Sequence, residues 1–424
     1  MTLNLSGCFN LKKIPQFVGN MKCLQEPFLD CIAIMELPSS IEGLIGLTSL
    51  TLRDCKNLMC LPSTICNLKS LESLDLSWCS TFEYLPENLG NVKGLKKLDL
   101  SGIAIKELPS TIEGLISLTL LTLKDCENLA CLPSTISSLK SLKSLDLSRC
   151  SKLDNLPENL GSVVGLKELK LSGTSIKELP SSIERLTSLT LLTLRDCKNL
   201  VCLPNAIWSL KMGDSLDLVG CTKIDKLPEN LGNIEGLEKL DLSGTGIKEF
   251  PSSIECLTSL TKLTLRDCKV LVCLPNAVWG LKLVNSLDLA GCTKFENLLE
   301  NLGNVEGLEK LDLSGTAIKK LPSSIEHLTN LTKLTLSDCK NLVCLPNAIW
   351  SLKLGNSLDL SGCSKFDNLT ENLGNVEGLE KLDLSGAAIK ELPSSIEHLT
   401  SLTLLTLKDC KNLMHLPNNI WNLK

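Results

Sequence analysis

The tightest constraint on this chain is a period. The stretch "LDLSG" at Leu98 returns as "LKLSG" at Leu169 and as "LDLSG" at Leu240, Leu311 and Leu382, each step being 71 residues without insertion or deletion. Self-similarity at a fixed period means stacked units rather than independent globules, so it overrides a domain count from length. Three similar pieces fill each block. From Leu98 they read "LDLSGIAIKELP" (Leu98), "LTLKDCENLACLP" (Leu121) and "LDLSRCSKLDNLP" (Leu145): a first, second and third type of 23, 24 and 24 residues. The phase runs from Leu3 to Leu405 and gives 18 pieces. Of the 17 prolines, 16 fall at one place in the piece, from Pro15 to Pro417. Pro27 instead takes a strand leucine's place, and Leu299 and Thr370 replace the proline in two third-type pieces.

A consensus L-x-x-L-x-L-x-x-C/T-x-x-L-x-x-L-P at this period is a leucine-rich repeat. "LDL" alternates apolar and polar residues and predicts a short strand with its leucines on one face. Leu-Pro then opens a return segment such as "SSIEHLTSL", whose apolar spacing is helix-like. One such unit cannot bury its apolar face; stacked units share a continuous core. The expected fold is therefore an α/β repeat solenoid: a horseshoe with one parallel concave sheet and short helical or irregular convex returns. Residues 1–424 are expected to form a single solenoid without a separate catalytic domain.

Solenoids need polar caps, and neither end of the sequence supplies one. The chain is thus expected to belong with further domains of a longer protein, or to meet partners at its ends. The first residues show no charged and apolar leader, and no run of about 18 apolar residues predicts a membrane span. A net charge of −5 gives no electrostatic case for nucleic acid.

These repeats resemble a known family. Cysteine in the turn, as in "LDLSGCSKFDNL" (Leu358 to Leu369), and units such as "LDLSGAAIKELPSSIEHL" (Leu382 to Leu399) are similar to the leucine-rich repeat region of plant intracellular disease-resistance proteins with an N-terminal TIR domain and a nucleotide-binding domain. The resemblance covers the whole chain. It implies a cytoplasmic sensing module that recognises a pathogen effector or a guarded host protein. Neither a G-x-x-x-x-G-K-[ST] loop nor a TIR segment is present, so it implies no nucleotide hydrolysis. The alternative is an intracellular repeat scaffold for signalling proteins outside immunity. Extracellular plant repeats usually carry "GxIP" where this chain has "xLP".

The 21 cysteines invite a chemical reading. Twelve occupy the turn after the strand: Cys8, Cys55, Cys79, Cys126, Cys150, Cys197, Cys221, Cys268, Cys292, Cys339, Cys363 and Cys410. First-type pieces place Thr174, Thr245 and Thr316 there, but Ile32, Ile103 and Ala387 in the other copies. A small residue with a weak donor suits a buried rung that satisfies turn backbone groups. Stacked side chains point the same way about 5 Å apart, too far for the Cβ separation a disulfide needs. A second column holds Cys60, Cys131, Cys202, Cys273, Cys344 and then His415. Its thiols recur every third strand, roughly 14 Å apart, which cannot assemble four zinc ligands. Glu107, Asn155 and Glu178 share that column, which predicts partial exposure. So many unpaired thiols fit a reducing cytosol.

No residue pattern supports catalysis, and none calls for a cofactor or metal. The expected protein-binding surface is the concave face: Lys97, Asp99, Leu120, Lys124, Asp146, Leu191, Arg195, Asp217, Lys239, Asp241, Lys262, Arg266, Lys310, Asp312, Lys333 and Lys408. The bland reading of the same residues is a solvated sheet with weak cross-strand charge pairs. Few aromatic anchors of the kind that dominate interfaces occur there, apart from Phe28 and Trp78. A column of Trp208, Trp279, Trp350 and Trp421 aligns with Glu255 and Glu326, so it is expected to be exposed or half-exposed. It reads as a packing cover between return segments or, alternatively, as a docking stripe on the convex side.

Overall fold

The residue between the two outward side chains decides each strand. In Lys97–Asp99 and Leu120–Thr122 the central leucine is buried while its neighbours face out, the alternation that a pleated backbone imposes. A computed structural model describes residues 2–17, 23–210, 213–352 and 357–423. It holds eighteen such strands among the described residues, all paired in parallel and in sequence order. Nine of them, β1 (Thr2–Asn4) to β9 (Leu191–Thr193), form the sheet of one compact unit, Met1–Met212. The other nine, β10 (Ser215–Asp217) to β18 (Leu404–Thr406), form the sheet of the unit Gly213–Lys424. Neighbouring strands are in register, so Leu98, Leu121 and Leu145 stack in one unit and Leu240, Leu263 and Leu287 in the other. Pro27 is buried at the leucine's place in Glu26–Phe28. Its ring has no N–H for a ladder, and pairing with the next strand narrows to Phe28↔Thr51.

Each parallel pair needs a crossover, and after β2 each described return segment holds a 3-10 helix of three to five residues. No α-helix occurs among the described residues. Proline presets the entry: Pro109 has φ −62° and ψ 143°, and its carbonyl accepts from Ile112 N at 3.0 Å. Leu299 and Thr370 take the same extended conformation, φ −80° and −85°. Proline therefore favours this entry without being required for it.

The core lies between sheet and returns, as leucine and isoleucine columns with Phe82, Phe295 and Phe366 fully buried. The returns pack closely where third-type pieces carry glycine. At Gly161 an added Cβ would sit 1.9 Å from the Ser182 carbonyl oxygen of the next return. The turn after the strand has a left-handed apex, held by Gly102 (φ 68°), Asp125 (φ 60°), Arg149 (φ 62°) and even Trp78 (φ 65°). Glycine and aspartate recur there because they tolerate that conformation best.

Candidate functional site

The outward strand positions form an open polar face on each sheet. Lys97, Lys239, Lys262, Lys310 and Lys333 are exposed at the first strand residue. Pairing sets Lys239 beside Lys262 and Lys310 beside Lys333. Like charges on adjacent strands repel, and Lys239 Nζ lies 3.9 Å from Asp214 Oδ2. Leu120 is half-buried in the same column and Leu191 is 40% exposed, as Leu404 is at 52%. Arg195, Arg266 and Lys408 are exposed two residues past the strand, and Lys124 is half-buried.

The aspartates of this face hold the turn. Asp99 Oδ1 accepts from Ser101 N at 2.9 Å, Asp146 from Ser148 N at 2.9 Å, and Asp217 from Val219 N at 3.0 Å. Asp241 and Asp312 do the same for Ser243 N and Ser314 N, each at 3.0 Å. One carboxylate oxygen thus caps a backbone N–H left over where the strand ends. The spacing D-x-S in "LDLSG" carried that signal. On Asp288 and Asp312 the other oxygen faces an arginine: Arg266 Nη2 meets Asp288 Oδ2 at 2.9 Å and Asp312 Oδ2 at 3.7 Å. The hydrogen bond to Asp288, then its charge, raises the Arg266 pKa above the ordinary value. Arg266, Ser286, Asp288, Lys310, Asp312 and Lys333 together line a shallow hollow on the second sheet.

The rung cysteines are buried, apart from Cys8, which is exposed, and Cys410, which is half-buried. Cys8 follows β1 and Cys410 follows β18, the first and last strands in chain order. The thiols donate to a carbonyl of the preceding piece: Cys126 to Leu100 O at 3.0 Å, Cys197 to Leu171 O at 3.2 Å, Cys339 to Leu313 O at 3.0 Å. Threonine rungs join the same ladder, with Thr174 Oγ1 2.7 Å from Leu171 O and 3.5 Å from Cys197 Sγ. Burial pushes the Cys126 thiol up to about 12. Cys60, Cys131, Cys202, Cys273, Cys344 and His415 are exposed on the flank. Among the described residues no group of three His, Cys, Asp or Glu is arranged to hold a metal ion.

The tryptophan column departs from expectation. Trp208, Trp279 and Trp350 are 4%, 1% and 3% exposed, so they cover the packing between returns and present no stripe. Trp350 Nε1 donates to Thr370 Oγ1 of the following piece at 2.9 Å. Trp421 is 85% exposed, in the last piece of its sheet. Exposed aromatics missed by pattern reading include Tyr84, 59% exposed. No helix among the described residues is long and apolar enough to cross a membrane.

Comparison with known proteins agrees with this geometry. The pattern of a leucine-rich repeat region matches residues 215–310, that of R13L1/DRL21 leucine-rich repeats residues 293–363, and a single leucine-rich repeat residues 141–163. TMV resistance protein N of Nicotiana glutinosa is 38% identical over 248 residues, covering 58% of this chain and 22% of that protein. A probable disease resistance protein of Arabidopsis thaliana is 34% identical over 263 residues, covering 57% of this chain and 14% of its own length. The chain thus spans a minor part of the relatives it matches. Among solved structures, a leucine-rich repeat protein of Leptospira interrogans superposes with a TM-score of 0.66 at 28% identity, covering 95% of each chain. Strand register, turn rungs and relatives together identify the chain as a leucine-rich repeat region of the kind carried by plant disease-resistance proteins.

Proposed function

We propose that this chain is the recognition part of a plant intracellular immune receptor, binding a pathogen effector or a guarded host protein in the cytoplasm and catalysing nothing itself. The observation that carries this reading is the open polar sheet face on repeats whose relatives are disease-resistance proteins. Extended solenoid faces suit protein partners because they offer area without a deep pocket. The unbroken 71-residue phase supports treating residues 1–424 as one repeat region, joined to the nucleotide-binding and signalling parts of a longer chain.

The outward side chains near the strand ends are the proposed contacts. Lys124, Arg195 and Arg266 take the same position in second-type pieces. A panel of pathogen effectors and their host targets, screened in yeast against the chain, tests the reading. A partner bound by the native chain is expected to be lost when Lys124, Arg195 and Arg266 all become Glu, and kept when Trp421 becomes Ala. Retention by the triple variant of every partner found would place recognition elsewhere and overturn the assignment of this face.

A further inference from the structure

The chain enters each strand along an edge of the sheet, and this edge changes sign between the two units. "GNVKGLKKLDL" from Gly90 and "GNVEGLEKLDL" from Gly303 differ only where Lys93 and Lys96 give way to Glu306 and Glu309. The fold around them is the same, with Lys97–Asp99 and Lys310–Asp312 as the strands that follow. In the first unit this edge carries exposed Lys69, Lys93, Lys96, Lys140, Lys143 and Lys167 against exposed Glu72. In the second it carries exposed Asp214, Glu235, Glu238, Glu306, Glu309 and Glu377 against exposed Lys282. Over whole units the balance is 22 basic against 21 acidic residues in the first, and 21 against 27 in the second. The sign change is therefore concentrated on one edge.

We propose that these edges bind one another between copies of this chain, the lysine edge of one molecule against the glutamate edge of a second. Sign is the first argument: Lys96 pairs with Glu72 at 2.8 Å and Lys239 lies 3.9 Å from Asp214, but each edge keeps a large excess of one sign, which a matching edge neutralises. Spacing is the second. Lys69 and Lys140, and Lys96 and Lys167, are 71 residues apart, as are Glu235, Glu306 and Glu377. Both edges therefore repeat every third strand, roughly 14 Å, so one register brings several pairs together and a one-strand shift loses them. Shape is the third. Lys96, Ser117, Thr119, Lys140, Ser141 and Lys143 line an open hollow on the lysine edge, and Lys140 Nζ is anchored there by Ser137 O and Ser162 O, each at 2.9 Å. Ile116 and Val164, 56% and 53% exposed, add apolar area between the lysines, and Leu283, 56% exposed, adds it on the opposite edge. One contact leaves the glutamate edge of one molecule and the lysine edge of the other free, so the assembly closes as a ring or extends as a chain.

Sedimentation velocity of the full chain tests this without an unknown ligand. Association is expected at about 100 µM protein in about 50 mM NaCl, weakening roughly tenfold or more by about 500 mM as salt screens exposed charge. A variant with Lys93→Glu, Lys96→Glu, Lys143→Glu and Lys167→Glu is expected to be monomeric. The reverse variant, with Glu235→Lys, Glu238→Lys, Glu306→Lys and Glu309→Lys, is expected to be monomeric too. Mixed, the two are expected to associate, because each then supplies the sign the other lacks; neither a folding defect nor general stickiness gives that result. A native chain that stays monomeric at low salt, association indifferent to salt, or a mixture that stays monomeric would each overturn the proposal.

Discussion

Cys126 and Cys131 lie five residues apart in one piece. Cys126 is fully buried, its sulfur 3.0 Å from Leu100 O, whereas Cys131 stands exposed on the flank. Position in the repeat, rather than residue type, fixes the environment. Between the chain ends the rung row is buried whatever fills it: threonine replaces cysteine at Thr174, Thr245 and Thr316 and keeps a donor to a carbonyl, while Ile32, Ile103 and Ala387 fill it with apolar side chains. On the flank Cys131 has as counterparts Glu107, Asn155 and Glu178, which share solvent and little else. Inner rows are thus set by packing and backbone chemistry, and outer rows are free to drift or to bind.

The sharpest break between inner and outer rows is expected at glycine. Gly161→Ala places a Cβ against the Ser182 carbonyl, a backbone atom that moves only with its whole segment. A loss of about 2–3 kcal/mol is expected, as for other overpacked sites. Gly280→Ala meets nothing nearer than Glu255 Cβ at 3.9 Å, so it is expected to be neutral or to gain up to about 0.5 kcal/mol from the stiffer unfolded chain. Urea unfolding followed by circular dichroism compares the two; equal effects would remove close packing of the returns as the cause.

The two thiols come next. Cys126→Ala removes a buried sulfur and its bond to Leu100 O, for an expected loss of about 1–2 kcal/mol. Cys131→Ala is expected to change stability by under about 0.5 kcal/mol. The same contrast has a pH signature. Burial raises the Cys126 thiol from 9.0 to about 12 in the folded chain, so above pH 9 the unfolded chain sheds a proton that the folded chain keeps. This contribution is intact below pH 9 and is lost as pH rises from 9 toward 12, amounting to about 1 kcal/mol by pH 10. In Cys126→Ala the alkaline fall in stability is expected to be shallower by that amount, and an unchanged slope would remove Cys126 from the account.

Much of this was legible in sequence because repetition supplies many trials of one position. The rungs could be read from cysteine alternating with threonine, and the outward face from leucine alternating with polar residues. The tryptophans could not. Glu255 and Trp279 share a column, yet Glu255 reaches water while the larger indole is 1% exposed. A column average hides that difference because burial depends on the side chain's reach as well as its backbone position. The strand aspartates were misjudged in another way. As candidates for binding they looked free, but a carboxylate two residues before a turn N–H closes locally first.

The smallest expected effect tests the boundary between the two kinds of row. Trp208 and Trp279 bury an indole N–H without an acceptor, whereas Trp350 donates to Thr370 Oγ1. The difference lies one piece further on: the place of Thr370 is held by Leu299 after Trp279. A leucine side chain cannot accept a hydrogen bond. Leu299 is 37% exposed, so replacing it costs little buried apolar area. Leu299→Thr is therefore expected to stabilise the chain by about 0.5 kcal/mol, the net worth of one ordinary hydrogen bond less the lost apolar contact. Thr370→Leu is expected to cost a similar amount. Paired unfolding curves check both, with indole fluorescence reporting whether Trp279 and Trp350 exchange environments. If neither substitution moves the midpoint, the threonine is a drifting outer residue and the indole N–H is satisfied by other means.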